Sequence, residues 1–135
     1  MGSIKNQIFK DFEVWIMDGN SSIETQNYLN KLEAPFFYHS QKDKGIYDAM
    51  NKGMEIASGE YLWFMNSGDA IFDLNTTRLL LKDIESGKDI YFSDTMFIDQ
   101  KGTEIGLISQ LKPQRLPEKL VPSSFRFGMN VCHQS

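Results

Sequence analysis

The sequence predicts an α/β fold with a mainly parallel sheet, and three observations lead to this prediction. Short apolar segments typical of buried strands alternate with segments of helical periodicity through residue 94. Two of the first three predicted strands end in acidic loops that contain glycine, and ligands of open α/β sheets bind at such strand ends. The chain has 135 residues, 41% hydrophobic and 24% charged, which suits one globular domain. We therefore expect residues 1–135 to form a single domain.

The first part of this pattern runs from residue 3 to residue 39. Residues 3–9 are predicted to be the tail of a helix, and the nearly uninterrupted apolar run at 12–17 predicts a buried strand. Residues 18–20, Asp-Gly-Asn, form a turn signal, and a serine can then cap a helix over 21–32. Residues 36–39 predict a second short strand, after a proline that closes the helical unit.

The helix predicted between residues 45 and 57 has the clearest periodicity in the chain. Its apolar residues recur at helical spacing on one face, and we expect that face to pack against the core. They are Ile46, Ala49, Met50, Met54 and Ala57. Asn51 and Lys52 fall on the polar face, so we expect them to point towards solvent or a cleft.

The remaining elements are predicted from residue 61 onward. The apolar run at 61–65 predicts a third buried strand, and 89–93 predicts a fourth. Between them, residues 75–85 predict a helix that ends at a glycine. Residues 96–108 predict a β-hairpin with a glycine-containing tip. Beyond residue 112, three prolines predict loops and at most a short helix.

Charge and composition exclude several functional classes. The net charge of −4 gives no general attraction to nucleic acid or to anionic lipid. No apolar stretch reaches the roughly 20 residues that a membrane-spanning helix needs. A single cysteine, Cys132, excludes an internal disulfide and favours a reducing compartment. A phosphate-loop enzyme is disfavoured because the sequence has no Gly-x4-Gly-Lys-Ser/Thr run.

Three acidic residues are predicted to lie near one edge of the sheet, in loops that follow strands. They are Asp18, Asp43 and Asp69. Asp69 comes just after a predicted buried strand, where a carboxylate can hold Mg²⁺ or Mn²⁺ together with phosphate oxygens. The alternative is that Asp69 caps the next helix or tightens a turn. From the residues alone, both interpretations stay open.

The other candidate residues also have two interpretations each. Asp18 can accept hydrogen bonds from a base or a ribose, or it can make an Asx-turn with the residues that follow. Asp43 leads into the helix at 45–57, whose N-terminus favours an anion, or it belongs to an ordinary helix entry. Asn51 and Lys52 lie on that helix's polar face, where plain solvent exposure is the alternative to a binding role.

Five segments in the first half of the chain form a specific pattern through their order and spacing. They are Ser3-Ile4-x-x-Gln7-x-Phe9-x-Asp11-Phe12-Glu13, Ile16-Met17-Asp18-Gly19-Asn20-Ser21, Asp43-Lys44-Gly45-Ile46-Tyr47-Asp48-Ala49-Met50-Asn51-Lys52-Gly53, Ala57-Ser58-Gly59-Glu60-Tyr61 and Phe64-Met65-Asn66-Ser67-Gly68-Asp69. Together they resemble the family-2 glycosyltransferases, and the third segment resembles bacterial enzymes of polysaccharide assembly. The resemblance implies a GT-A-like fold, a nucleotide-binding α/β/α sandwich with a mainly parallel sheet.

The resemblance also implies donor-binding roles for five residues. Asp18 falls in the loop that contacts the uracil and ribose of the donor. Asp43, Asn51 and Lys52 lie in the segment that shapes the donor pocket. Asp69 matches the last residue of the motif called DXD, which binds Mn²⁺ or Mg²⁺ and the diphosphate.

Two glycines depart from the family pattern. Many family members carry Asp at the position of Gly19 and at the position of Gly68, so this chain offers fewer acidic groups to the base and to the metal. The resemblance implies that the chain lacks the family's first strand and its C-terminal part, where the catalytic base usually lies. No residue is therefore assigned as general base.

The function that the resemblance implies is transfer of a sugar from a nucleotide-diphosphate sugar, UDP-linked, to an acceptor hydroxyl with inversion. The implied setting is polysaccharide or glycan biosynthesis in the cytoplasm, with peripheral association at the inner face of a membrane through a glycan or lipid-linked acceptor. Nucleic acid is not an expected partner. Two alternatives stay open: a catalytically incomplete domain that binds nucleotide or a partner without turnover, and an unrelated α/β nucleotidyltransferase.

Overall fold

The computed structural model describes residues 1–111 and has a mixed α/β fold, as the alternating pattern predicts. Its elements in chain order are α1 (Gly2–Lys5), β1 (Val14–Asp18), α2 (Ile23–Leu29), β2 (Phe36–Ser40), α3 (Ile46–Ile56), α4 (Thr76–Ile84), β3 (Met96–Ile98), β4 (Glu104–Leu107) and α5 (Ile108–Leu111). The loops predicted beyond residue 112 and the lone Cys132 lie outside the described residues. Within residues 1–111, none of the helices is both long and apolar enough to cross a bilayer.

The chain divides into two compact units. One is Lys10–Phe64, which holds β1, α2, β2 and α3. The other joins Met1–Phe9 to the residues from Met65 onward, and its described part holds α1, α4, α5 and the β3–β4 pair. The expectation that residues 1–135 form one domain stays a prediction.

A two-stranded parallel sheet forms the centre of the Lys10–Phe64 unit. β1 pairs with β2 in a continuous register that ends with Asp18 opposite Ser40, and α2 lies in the crossover between the strands. The β-branched and aromatic residues of both strands favour this extended pairing. Leu29 of α2 and Phe36 of β2 are each 5% exposed, so the core of this unit lies where α2 meets the sheet.

In the other unit, the β3–β4 hairpin and α4 form where the sequence predicts them. The hairpin is antiparallel, and Gly102 in its tip has a φ of 81°, a left-handed conformation that favours glycine. The helix α4 follows Asn75 and is followed by Glu85, in agreement with the predicted range. Ile71, 8% exposed, and Gln7, 1% exposed, are buried in this unit.

The helix α3 also forms where the periodicity predicts it, but two of its expected core residues are exposed. Ile46 is 50% exposed and Met54 is 47% exposed, so the prediction that both face the core is wrong. The helix packs on β1 through Gly53, where an added Cβ would lie 3.4 Å from Cγ of Met17. Ile46 is the first residue of the helix and Met54 lies in its last turn, and no described strand beyond β1 and β2 extends this sheet to cover them.

Two of the predicted strands do not form. Residues 61–65 and 89–93 are outside the strands, and large apolar side chains within them are exposed. These are Leu62 (45%), Trp63 (41%), Phe64 (37%), Ile90 (66%) and Phe92 (46%). An apolar run predicts burial, but a strand also needs a partner for its N–H and C=O groups. In the described part of the chain, β1 pairs only with β2 and β3 only with β4, so neither segment has a partner strand.

Candidate functional site

A shallow crevice opens at the carboxyl ends of β1 and β2. Its lining consists of Met17, Asp18, His39, Gln41, Asp43, Ala49 and Lys52. Three of the five candidate residues, Asp18, Asp43 and Lys52, therefore meet in one place. The parallel pairing explains this meeting, because both strands end at the same edge and the loop after β2 leads directly into α3.

Asp18 ends β1 and is only 9% exposed. Its carboxylate accepts hydrogen bonds from the Ser21 amide at 3.1 Å and from the Ser40 hydroxyl at 2.6 Å. The first of these bonds closes a turn, so the interpretation of Asp18 as a turn residue is confirmed. Hydrogen bonds from Ser21, and next from Ser40, lower the pKa of Asp18 below its ordinary value. The crevice therefore contains a carboxylate that stays anionic at neutral pH.

Asp43 extends from the loop after β2 towards the loop after β1. Its Oδ1 accepts a hydrogen bond from the Gly45 amide at 2.9 Å, which orders the entry into α3. A Cβ atom added to Gly19 would lie 2.8 Å from Oδ2 of Asp43, which is closer than two such atoms pack. Glycine at position 19 therefore leaves room for the Asp43 carboxylate beside the first loop, and an aspartate there would displace it.

Lys52 holds the loop between β2 and α3 in place. Its ammonium group donates to the Lys42 carbonyl at 3.1 Å and lies 3.1 Å from Oδ2 of Asp48. Asp48 also accepts the Lys44 amide at 3.0 Å, and this bond, followed by the one from Lys52, lowers the pKa of Asp48. Lys52 thus faces the loop and the crevice, whereas its helix neighbour Asn51 is exposed and does not line the crevice.

Asp69 belongs to the other unit and lies in an exposed turn. Its amide donates to the Asn66 carbonyl at 3.1 Å, and its Oδ2 accepts the Asn66 amide at 3.1 Å. The interpretation of Asp69 as a turn residue is therefore confirmed. Gly68 within the turn has a φ of 100°, which an aspartate rarely adopts, and this explains a glycine where the family pattern has Asp.

The described residues do not complete a metal site by themselves. Within residues 1–111, no group of three or more His, Cys, Asp or Glu side chains is arranged to hold a cation. Asp69 offers one carboxylate on an exposed turn, whereas Mg²⁺ demands near-octahedral coordination by oxygen. It fits a cation only together with a ligand that brings further oxygens, such as a diphosphate. The metal role of Asp69, and its expected meeting with Asp18 at one sheet edge, stay predictions.

The structure adds residues at the end of β2 that the sequence pattern does not single out. Ser40 donates its hydroxyl to Asp18, and Nε2 of His39 lies 3.4 Å from Oε1 of Gln41 at the crevice. The parallel register of β1 and β2 is the signal that could have indicated these residues. The residue that ends β2 must stand beside the residue that ends β1, so any polar side chain there shares its surroundings.

The chain matches a known family along its whole length. The profile of the family described as "Glycosyl transferase family 2" matches residues 1–135. A "PGL/p-HBAD biosynthesis glycosyltransferase" of Mycobacterium bovis is 35% identical over an alignment 141 residues long, gaps included. This alignment covers 100% of the chain and 50% of the relative. The "GalNAc(5)-diNAcBac-PP-undecaprenol beta-1,3-glucosyltransferase" of Campylobacter jejuni is 29% identical over 94 residues, which cover 66% of this chain and 30% of the relative.

A shorter match adds to these. An uncharacterized glycosyltransferase of Mycobacterium tuberculosis is 46% identical over 55 residues, which cover 40% of this chain and 21% of the relative. No solved structure matches the chain. The chain spans about half the length of the Mycobacterium bovis relative.

Proposed function

Because the chain belongs to glycosyl transferase family 2, we propose that it binds the donor in the transfer of a sugar from a nucleotide-diphosphate sugar to an acceptor hydroxyl. The observation that carries this proposal is the crevice at the carboxyl ends of β1 and β2, where Asp18, Asp43 and Lys52 meet. Ligands of open α/β sheets bind at that edge. In this proposal the donor is UDP-linked, and the transfer inverts the anomeric carbon.

The crevice residues would contact the donor according to their chemistry. An anionic Asp18 has acceptor oxygens only, so it suits the N–H group of uracil and the hydroxyls of ribose. Asp43 adds a second carboxylate beside Gly19. Lys52 holds the loop before α3 in place through the Lys42 carbonyl. The proposed roles of Asp18, Asp43 and Lys52 rest on the family and on the crevice together. For Asn51, which does not line the crevice, the proposed part in shaping the donor pocket rests on the family alone.

Asp69 is the proposed protein ligand for Mn²⁺ or Mg²⁺. One carboxylate cannot fill an octahedral shell, so the diphosphate of the donor supplies further anionic oxygens. A divalent cation bound there supplies positive charge that offsets the charge developing on the diphosphate leaving group. The hydrogen bond from the Asn66 amide to Oδ2 holds the Asp69 carboxylate in one direction for this task.

The proposed acceptor is a glycan or a lipid-linked glycan, and the proposed setting is polysaccharide or glycan biosynthesis. Support comes from the relatives' names: one contains GalNAc(5)-diNAcBac-PP-undecaprenol and another contains PGL/p-HBAD biosynthesis. An acceptor of this kind would hold the protein peripherally at the cytoplasmic face of a membrane. Attack by its hydroxyl requires a base that takes the proton, and no described residue is assigned to that role.

A thermal-shift panel tests donor binding. The full chain is heated with UDP-, GDP- and CMP-sugars, each with and without Mn²⁺, because a ligand that binds only the folded state stabilises it by about 2.7 kcal/mol at 100 times its Kd. We expect UDP-sugars with Mn²⁺ to give the largest rise in unfolding temperature and Asp18→Asn to reduce it. Asp83→Asn, on the exposed side of α4, is the matched control and should leave the rise unchanged.

Other outcomes have equally definite meanings. A larger rise with another nucleotide sugar would replace UDP in the proposal, and no rise with any of them would contradict donor binding. Donor binding without release of UDP in the presence of glycan acceptors would favour a domain that binds nucleotide without turnover.

A further inference from the structure

Gln7 is the most deeply buried polar side chain among residues 1–111, at 1% exposure. It lies just after α1, and its amide makes four hydrogen bonds. The Nε2 group donates to the Ser3 carbonyl at 3.1 Å and to the Asp73 carbonyl at 2.8 Å. The Oε1 atom accepts from the Thr77 amide at 3.1 Å and from the Thr77 hydroxyl at 3.2 Å. A primary amide has two donor hydrogens and two acceptor lone pairs, so Gln7 uses its full capacity.

Further hydrogen bonds join the same two stretches of chain. The Ser3 hydroxyl accepts the Ile71 amide at 3.1 Å, and the Ile8 amide donates to the Leu74 carbonyl at 3.0 Å. The segment 71–77, which runs from just after the Asp69 turn into α4, is therefore tied to the N-terminal segment at several successive points. Ile71 is itself 8% exposed, so this attachment is buried at the end nearest Asp69.

We propose that Gln7, assisted by Ser3, is a positioning residue for Asp69, an inference that rests on the proposed function of that carboxylate. Ile71 follows Asp69 by two residues, so the anchored amide lies within about 7.6 Å of the Asp69 backbone. On its other side, Asp69 is held by the turn to Asn66. Gln7 would touch neither nucleotide nor cation, and it would act by fixing the backbone from which the carboxylate projects.

Loss of the Gln7 amide would loosen this attachment. The Thr77 amide would lose its side-chain acceptor, and the Asp73 carbonyl would keep only the hydrogen bond from the Thr76 amide. An unsatisfied buried amide drives the backbone towards water. The Asp69 carboxylate would then sample more positions relative to the diphosphate. The expected result is weaker cooperation between cation and nucleotide, with little change in nucleotide binding measured without the cation.

Calorimetric titration of UDP into the full chain, with and without Mn²⁺, measures that cooperation. In wild type, Mn²⁺ should strengthen UDP binding by about tenfold or more, as is usual for coupled sites. In Gln7→Met, which keeps the length of the side chain and removes its hydrogen bonds, the strengthening should fall to about threefold or less. Leu29→Ala is the control: Leu29 is buried in the other unit and does not line the crevice, so it should lower stability and keep the full strengthening.

Ser3→Ala keeps the inference testable if Gln7→Met does not fold. It removes only the acceptor of the Ile71 amide and should give a smaller loss of strengthening, which Ser3→Thr should restore. If wild type shows the strengthening and folded Gln7→Met or Ser3→Ala keeps it in full, the positioning role is overturned while the proposed function stands. If wild type shows UDP binding without strengthening, the proposed metal role of Asp69 fails, and the positioning role fails with it.

Discussion

At the residue scale, Asp18 combines a structural role with its proposed chemical one. It joins the end of β1 to Ser21 and to Ser40 through hydrogen bonds that the carboxylate accepts. These donors favour the anion, so the pKa of Asp18 in the folded protein lies below its ordinary value of 3.8. A group of this kind stabilises the fold above its unfolded-state pKa, and the stabilisation is lost as the pH falls through the folded-state pKa.

We therefore expect Asp18→Asn to reduce the acid sensitivity of the fold. At neutral pH the variant should lose about 1 kcal/mol of unfolding free energy, because the amide keeps one acceptor oxygen but no charge. Below about pH 4 the two proteins should approach each other, since protonation removes the same charge from wild type. Urea denaturation at several pH values measures the difference. Two curves that stay a constant distance apart between neutral pH and pH 3 would contradict the argument.

The second prediction at this scale concerns Asp69. One carboxylate and one diphosphate would share the cation, so the binding of Mn²⁺ and of UDP should strengthen each other in wild type. In Asp69→Asn, we expect UDP to bind with nearly equal affinity with and without Mn²⁺. Isothermal titration calorimetry measures all four combinations, and Asp83→Asn on α4 serves as the charge-matched control. Measurable UDP binding of equal strength in all four would show that Asp69 is not a metal ligand.

At the element scale, the position of α3 depends on its close approach to β1. A Cβ atom added to Gly53 would be in van der Waals contact with Cγ of Met17 at 3.4 Å and near its sulfur at 3.6 Å, so Met17 leaves little room for a side chain larger than a methyl group. After the helix, Ser58 donates its amide and its hydroxyl to Oε1 of Glu13, just before β1, at 2.5 Å and 3.0 Å. These two contacts fix the helix on the strand. They thereby fix Lys52 and the loop before α3 at the crevice.

Enlarging the residue at position 53 should separate α3 from β1. Gly53→Leu is expected to cost about 1–3 kcal/mol of unfolding free energy, because it inserts carbon atoms into a filled contact. Gly53→Ala should remain within about 1 kcal/mol of wild type, since its methyl group fits in van der Waals contact with Met17 and alanine has the better helix propensity. Met54→Asp is the control one position along. Met54 is 47% exposed, so its replacement should cost under about 1 kcal/mol.

Chemical denaturation of the three variants compares these costs directly. A Gly53→Leu midpoint equal to that of Met54→Asp would contradict the packing of α3 on β1. A large loss in Met54→Asp would instead indicate that Met54 is covered.

At the scale of the whole molecule, much apolar surface stays in contact with water. Phe72 is 71% exposed and Ile90 is 66% exposed, and the segments at 61–65 and 89–93 hold further large side chains. The hydrophobic effect favours covering such groups, and scattered apolar residues are ordinary whereas runs of them are not. In the described part of the chain, neither segment pairs with a strand, and the large apolar side chains of both segments stay exposed.

The two tryptophans report on this exposure. Trp63 is 41% exposed, whereas Trp15 is half-buried and stacks on Phe37 with ring centroids 5.1 Å apart. Iodide should therefore quench the fluorescence of Trp63 more strongly than that of Trp15. We expect Trp63→Phe to lose most of the quenchable emission and Trp15→Phe to keep it. Equal quenching constants in the two variants would contradict the exposure of the segment 61–65.

The sequence by itself determined those parts of the molecule whose hydrogen bonds are local. The helices α3 and α4 satisfy their backbone groups within their own residues, so periodicity and the glycines near their ends locate them. The β3–β4 hairpin is also local, because its glycine-containing tip brings the two strands together. The loops after strands likewise indicated Asp18 and Asp43 as candidates, and the family resemblance added Lys52 on the polar face of α3.

Only the tertiary structure decided which distant groups meet. The apolar run at 61–65 is a local property, but a strand's N–H and C=O groups are satisfied only by a partner far along the chain. For the same reason, the bond from Ser40 to Asp18 follows from the parallel register and not from spacing. The position of Asp43 beside Gly19 likewise depends on how the chain folds after β2. A local pattern predicts which apolar side chains a segment tends to bury and which backbone groups it needs to pair. Whether another segment covers those side chains and pairs with those groups is determined by the folded chain.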